Sequence, residues 1–177
     1  MSGVSTTVTR TYLELRDPGR LRRAELPAGA DAHFVHHHPC DLARYRALYR
    51  AVGERWHWRD RSIAPDDRLA RELEASHVWE LVVDGETAGY FELRPDGPGD
   101  VEILYFGLIS SFIGRGFGGA MLTRAVDEAV RLGAARVWLH TCTLDSPRAL
   151  PNYLARGFAV VRTEDYEVEL GDPTSPA

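Results

Sequence analysis

The spacing of hydrophobic and polar residues changes along the chain, and the clearest change lies between residues 101 and 133. The apolar run from Val101 to Ile109 is rich in β-branched and aromatic residues, which is typical of a buried strand. After several glycines, the segment from Met121 to Leu132 repeats apolar residues every three or four positions, which predicts an amphipathic helix ended by Gly133. This order of strand, glycine-rich loop and helix favours a phosphate site at the helix N-terminus, where backbone N–H groups lack partners.

The rest of the pattern predicts an α/β (α+β) fold with helices on both faces of one sheet. Asp84-Gly85 between two apolar runs predicts a hairpin of residues 77–83 and 87–93, and Asp41 is placed to cap a helix that runs to Val52. Further strands are expected over 8–15, 32–37, 135–143 and 158–170, and further helices over 66–75 and from Pro151. We therefore expect one domain over residues 1–177, ordered from about 8 to 170, with a mixed, mostly antiparallel sheet of six or seven strands.

Composition fits an ordinary globular domain of 177 residues with 44% hydrophobic side chains. The chain shows no apolar run near the roughly eighteen residues that span a bilayer, and no signal-peptide pattern, so we expect a cytoplasmic protein without a membrane partner. A net charge of −5 argues against nucleic acid as a partner. Cys40 and Cys142 are too few for a disulfide framework or a structural zinc site, so free thiols are expected.

The histidines near the second predicted strand are the first candidates for metal ligands in the chain. They are His33, His36, His37 and His38. Adjacent residues of a strand point to opposite faces, so at most alternate histidines converge. No acidic or cysteine residue accompanies them at ligand spacing. We therefore expect these side chains to be solvated or packed on the sheet, and we expect no metal.

The glycine-rich loop, Ile113-Gly-Arg-Gly-Phe-Gly118, narrows the choice of phosphate-binding families. It does not fit a dinucleotide fingerprint, whose last glycine would come one place later, and it lacks the Lys-Ser/Thr that closes a Walker A loop. It resembles the acetyl-CoA motif Q/R-x-x-G-x-G/A of the GNAT superfamily of N-acetyltransferases, with Ile113 in place of Gln or Arg. Aligning Arg115 to Ala120 instead keeps the arginine but moves the loop two residues into the helix. A tight connection without a ligand is the alternative.

The resemblance extends over residues 78–161 and implies that acetyl-CoA is the co-substrate. In the first alignment it implies contacts with the strand backbone and with the loop, at Phe106, Gly107, Leu108, Gly114, Arg115, Gly116, Phe117, Gly118 and Gly119. Backbone N–H groups near Leu108, where the family's sheet splays, are expected to stabilise the oxyanion.

A second segment, from Leu144 to Phe158, matches another family motif. Its Ala149, Tyr153 and Gly157-Phe158 stand at the family's spacing, while Ser146 replaces the usual Asn. The resemblance implies that Ser146 lies beside acetyl-CoA and that Tyr153 is a general acid for the departing CoA thiolate. The alternative for Tyr153 is a packed tyrosine whose hydroxyl is satisfied within the protein.

Transfer to an amine also needs a general base, because an alkylamine is mostly protonated at neutral pH. Glu102 is the first candidate: the family often has a glutamate at such a place, and it lies six residues before Leu108, nominally on the same face. His140 is the second, since an imidazole titrates in the right range. A salt-bridged carboxylate and a hydrogen-bonded core histidine are the alternatives. Transfer through an acyl-Cys142 is disfavoured because the family's usual route is direct attack.

The stretch Trp56-His57-Trp58 combines two indoles with flanking cations. In the family this region borders the acceptor pocket, so the resemblance implies that these residues contact a small-molecule amine acceptor. The alternative is that both rings cover the core. Two other functions stay open: an acyl-CoA-binding module without turnover, and an acetyltransferase of protein or peptide amines. The sequence leaves a homodimer open as well.

Overall fold

The computed structural model describes residues 4–170, which form a seven-stranded sheet with the strand order β2-β3-β4-β5-β6-β1-β7. The strands are β1 (Val4–Leu15), β2 (Ala32–His37), β3 (His77–Val83), β4 (Glu86–Pro95), β5 (Asp100–Leu108), β6 (Arg136–Cys142) and β7 (Ala159–Leu170). The helices are α1 (Leu42–Gly53), α2 (Asp60–Ile63), α3 (Asp66–Glu74), α4 (Phe117–Arg131) and α5 (Ala149–Arg156). Neighbouring strands are antiparallel except β5 and β6, which confirms the predicted fold class.

Each face of the sheet has its own apolar cluster. One cluster joins the buried side of α4, including Met121 and Ala125, to Leu93 and Ile103 of the central strands. The other joins α1 and α3 to the opposite face through residues such as Tyr45 and Tyr90. The helices therefore cover both faces, as the hydrophobic pattern predicted.

Several predicted boundaries differ from the structure. The first strand begins at Val4, not at residue 8, because Val4 to Thr7 pair with β7. Residues 1–3 and the predicted frayed end, residues 171–177, lie outside the described residues. Helix α5 begins at Ala149, so Pro151 falls in its first turn, where a missing N–H costs no helical bond.

Helix α4 begins at Phe117, four residues before the predicted Met121. Gly118 and Gly119 therefore belong to its first turn and not to the preceding loop. Both glycines remain beside the N–H groups that make a helix start attractive to anions.

The structure confirms the predicted helix cap at Asp41 and the prediction of two free thiols. Asp41 caps α1 through a 3.0 Å bond that its carboxylate accepts from the Arg44 N–H, and Cys40 and Cys142 are both free. Among the described helices, none is long and apolar enough to cross a membrane.

Candidate active site

The sheet opens where β5 and β6 separate. These strands pair in parallel only over Asp100, Val101 and Glu102, and beyond that point β5 follows β4 while β6 follows β1. The splay expected near Leu108 is therefore present. It contains a cleft of about 910 Å³, lined on one side by residues 103–108 and on the other by residues 140–142. That volume lies within the range of about 300 to 1,000 Å³ typical of ligand and cofactor sites.

The N-terminus of α4 forms one end of this cleft. Gly116, the residue before the helix, has φ 90°, a conformation that favours glycine. Because Gly116 has no side chain, it cannot cap the helix. The first N–H groups of α4 therefore need another acceptor, and Gly114, Gly116, Gly118 and Gly119 all line the cleft.

Helix α5 and the residue before it supply polar side chains beside this loop that the motif did not predict. A Cβ atom on Gly114 would lie 3.6 Å from Nη2 of Arg148, so the guanidinium is adjacent to the loop. Asn152, four residues later on α5, donates to the Gly118 carbonyl at 3.2 Å. The sequence does contain a signal for these two residues. Arg148 and Asn152 are four positions apart and so share a helix face, and Tyr153 follows directly. Both residues line the cleft.

Tyr153 lies on α5 at the wall of the cleft and is only 4% exposed. Its ring packs against Phe106 of β5 and Phe158, at centroid distances of 5.9 and 6.2 Å. Burial, with a smaller contribution from the Asp145 carboxylate, raises the pKa of the Tyr153 hydroxyl. The phenol therefore keeps its proton at neutral pH, as a proton donor must.

Of the two candidate general bases, His140 lines the cleft and Glu102 does not. His140 on β6 lines the cleft with an exposed side chain, and partial desolvation of the imidazole together with the nearby Arg10 cation lowers its pKa. The ring is therefore neutral at pH 7 and able to accept a proton. Glu102 is 3% exposed, accepts a 2.6 Å bond from Arg94 and does not line the cleft.

The same-face argument for Glu102 is wrong because β5 contains a bulge. Ile103 pairs with Leu93 and Tyr105 with Glu92, which leaves Leu104 as an extra residue. One extra residue reverses the alternation of side chains, so Glu102 and Leu108 point to opposite faces.

The aromatic loop between α1 and α2 covers the other end of the cleft, and Trp56, His57 and Trp58 all line it. Trp58 packs against Tyr49 and Tyr105, at centroid distances of 5.5 and 5.2 Å. Its Nε1–H donates to Asp145 at 3.2 Å. The loop is therefore both packed against the core and exposed to the cleft, so the two sequence interpretations are not exclusive.

Most of the predicted site residues converge on this cleft. Those that line it are Tyr153, His140, Phe106, Gly107, Leu108, Gly114, Gly116, Gly118, Gly119, Ser146, Trp56, His57 and Trp58. Three do not line it, namely Glu102, Arg115 and Phe117. Phe117 is buried against Phe112, and the Arg115 guanidinium lies over both rings, 4.8 Å from the centroid of Phe112 and 5.6 Å from that of Phe117.

Other lining residues come from parts of the chain that the motifs do not cover. Arg10 of β1 and Tyr166 of β7 reach the cleft because these strands complete the sheet beside β6. Cys142 also lines it, but burial raises the pKa of its thiol. A thiol that keeps its proton is a poor nucleophile, which disfavours an acyl-cysteine route.

The histidines of β2 lie far along the sheet from this cleft. His36 and His38 share one face and stack with His77 of β3, while His37 points to the other face and contacts Glu80 at 3.1 Å. The alternation expected for strand residues is confirmed. Among residues 4–170, no group of three or more His, Cys, Asp or Glu side chains is placed to hold a metal ion.

A sequence model of the acetyltransferase (GNAT) family matches residues 44–158, which is more than half of the chain. The chain belongs to the GNAT acetyltransferase family. The matched region of this GNAT protein contains both walls of the splay, the glycine loop and Tyr153. A search of curated proteins finds no match.

Solved GNAT structures share the fold. One is a GCN5-related N-acetyltransferase from Kribbella flavida, with a TM-score of 0.63 and 21% identity, covering 93% of this chain and 59% of its own. A tandem GNAT protein from the clavulanic acid biosynthesis pathway gives 0.62 and 18%, covering 94% and 54%. An aminoglycoside acetyltransferase from an uncultured soil sample gives 0.58 and 16%, covering 71% and 87%. This GNAT chain thus spans little more than half the length of the first two proteins.

Proposed function

We propose that the protein is an N-acetyltransferase that moves an acetyl group from acetyl-CoA to a primary amine of a small-molecule acceptor by direct attack. The observation that carries this proposal is one cleft that joins the uncapped start of α4 to Tyr153 and His140. A phosphate-binding end and a proton-transfer end in one cavity are what acetyl transfer from a phosphorylated thioester requires.

The residues at the first end suit the phosphates of CoA. Backbone N–H groups at the start of α4 and the Arg148 guanidinium would bind these anions, and Ser146 lies on the same wall. Acetyl-CoA would supply the thioester that carries the acetyl group. Since Ile113 replaces the motif's Gln or Arg, we assign the phosphate-binding cation to Arg148.

The residues at the second end suit proton transfer. His140 accepts a proton from the acceptor's ammonium, which frees the amine lone pair for attack. Tyr153 donates the proton that the departing thiolate needs. Backbone N–H groups of β5 near Leu108, beside the point where β5 and β6 separate, would stabilise the oxyanion. Glu102 takes no part, because Arg94 holds it outside the cleft.

Calorimetric titration with acetyl-CoA, longer acyl-CoAs and NADH tests the first half of the proposal. We expect saturable binding of acetyl-CoA, little binding of NADH, and loss of acetyl-CoA binding in Gly116→Val. Gly133→Val is the matched control: Gly133 has a similar φ of 95° at the other end of α4, with open space around its Cβ position. Equal effects of both substitutions would mean that backbone strain, and not the phosphate site, causes the loss.

A screen of amines by release of free CoA thiol tests the second half. Release that depends on a small amine supports the proposal, and binding without release from any amine would favour the non-catalytic module. Protein acceptors can be tested in the same assay with antibodies to acetyl-lysine. All 21 Lys+Arg residues of this chain are arginines, so any acetyl-lysine would belong to the acceptor.

A further inference from the structure

Asp145, in the loop between β6 and α5, is a cleft-lining carboxylate that no motif accounts for. Its Oδ2 accepts a 2.7 Å bond from the Thr141 hydroxyl and a 2.9 Å bond from the Cys142 N–H. Within residues 4–170, its Oδ1 accepts a single bond, the 3.2 Å bond from Trp58 Nε1. Thus one oxygen is held by the end of β6, while the other is bound from across the cleft.

Trp58 reaches Asp145 over the point where the strands separate. A Cβ atom on Gly107 of β5 would lie 3.7 Å from the indole of Trp58, so the ring lies over the β5 side of the splay. Its Nε1 then meets Asp145 on the β6 side. The Trp58 to Asp145 bond therefore spans the opening into which an acceptor must bring its amine.

The carboxylate of Asp145 has a weak partner for its charge. Among residues 4–170, no Lys, Arg or His nitrogen comes within the 4.0 Å that defines a salt bridge to it. An indole N–H is a neutral donor and leaves the negative charge of the carboxylate uncompensated, whereas an ammonium at Oδ1 donates a bond and also neutralises that charge. An ammonium that enters the cleft can therefore replace Trp58 at Oδ1 with a gain in binding free energy.

We propose that Asp145 binds the ammonium group of the acceptor, and that Trp58 occupies Oδ1 until the acceptor displaces it. Asp145 is then the residue that selects cationic amines over neutral ones. This inference rests on the proposed function, because it concerns the acceptor half of the same cleft. It makes Asp145 a binding residue and leaves proton removal to His140.

Calorimetry on the protein saturated with CoA tests this inference without turnover. The probes are benzylamine, which is an ammonium at pH 7.5, and aniline, which is neutral there and of similar size. Wild-type protein should bind benzylamine more tightly than aniline. Asp145→Asn keeps the size of the side chain and should weaken benzylamine binding by about tenfold or more, the range for a bond to a charged group, while aniline binding stays the same.

Asp60→Asn is the matched control, because Asp60 is the other carboxylate that lines the cleft and it is exposed. This variant should bind both probes like the wild type. Trp58→Phe supplies a second test with the opposite sign. It removes the competing N–H but keeps an aromatic ring, so benzylamine should bind several-fold more tightly. A purely structural role of the Asp145 bond would give no such gain.

Binding of acetyl-CoA separates the two proposals. If wild-type protein does not bind acetyl-CoA, the proposed function is wrong. If it binds acetyl-CoA but not benzylamine, or if Asp145→Asn weakens benzylamine and aniline equally, the assignment of Asp145 is wrong while the proposed function stands. Should Asp145→Asn fail to fold, the gain expected for Trp58→Phe decides alone, and its absence refutes the inference.

Discussion

Arg148 lies where the glycine-rich loop lacks the polar side chain of its family motif. If its guanidinium binds a phosphate of CoA, Arg148→Ala should weaken acetyl-CoA binding by about tenfold or more, the usual effect of losing a bond to a charged group. Acetyl-pantetheine, which has no phosphate, should bind both proteins equally. Arg115→Ala is the control, since the Arg115 guanidinium lies over Phe112 and Phe117. Calorimetry measures all of these affinities, and an equal loss in the two variants would contradict the assignment.

His140 and Glu102 can be separated by the pH dependence of kcat/KM. Because partial desolvation and the Arg10 cation lower the pKa of His140 below its ordinary value of about 6.5, the neutral base is present at pH 7 and is lost only as the pH falls below that value. Wild-type kcat/KM should therefore fall on the acid side below about pH 6.5. His140→Gln should lower the rate by about 10²-fold or more, the usual contribution of a general base, and remove this acid limb.

Glu102→Gln should keep the acid limb, because Glu102 is bound to Arg94 outside the cleft. A stopped assay over pH 5 to 9, conducted after thermal melts show that each variant is folded, makes the comparison. An acid limb that disappears in Glu102→Gln and persists in His140→Gln would reverse the assignment of the base.

At the scale of single residues, the sequence predicted what is encoded locally. The glycine loop and Tyr153 come from short motifs, and the structure brings them to one cleft. The prediction that Glu102 and Leu108 share a face is wrong because the bulge cannot be recognised from the sequence of β5, whose residues are apolar on both faces. Asp145 was not predicted because its proposed role depends on Trp58, a residue 87 positions away.

At the scale of elements, the contact between α1 and β5 forms the base of the cleft beside Trp56 and Trp58. A Cβ atom on Gly107 would lie 2.4 Å from Cγ1 of Val52, so Gly107→Ala should destabilise the protein by about 1 to 3 kcal/mol through overpacking. Val52→Ala removes the clashing methyl group. The double variant should therefore lose less free energy of unfolding than the sum of the single losses, as measured by urea denaturation.

Gly89→Ala serves as the comparison for this pair. Its Cβ would lie 2.4 Å from the backbone oxygen of Gly107, which Val52→Ala cannot move away. The losses from Gly89→Ala and Val52→Ala should therefore add. If Gly107→Ala and Val52→Ala also add to within about 0.5 kcal/mol, the predicted contact does not determine the spacing of α1 from β5.

The elements whose ends carry a local sequence signal were predicted most closely. The Asp84-Gly85 turn and the Asp41 cap are local signals, and the hairpin and α1 follow them. The start of α4 was placed late because glycine disfavours helix, yet Gly118 and Gly119 are helical in the structure. The interaction of this turn with α5, including the bond from Asn152 to Gly118, outweighs that preference.

For the whole molecule, the position of β1 is the feature that no local pattern predicts. The strand that begins the described chain lies between β6 and β7, with partners more than 120 residues away in sequence, as in the pair Leu13 and Leu139. Alternation identifies a strand but not its neighbours. The same placement brings Arg10 and Tyr166 to the cleft, so the missed residues and the missed topology have one cause.

Because β7 pairs only with β1 in the described sheet, removal of residues 1–16 should prevent the chain from folding cooperatively. The deletion removes the buried Leu13 and Leu15, and losing a core leucine costs about 2 to 5 kcal/mol, against a total stability of about 5 to 15 kcal/mol. A thermal melt of the shortened chain should show no sharp transition, and a synthetic peptide of residues 4–16 should restore it. A peptide with Leu13→Asp should not, because its charge would enter the core. A shortened chain that melts like the full one would show that β1 adds nothing to the sheet's stability.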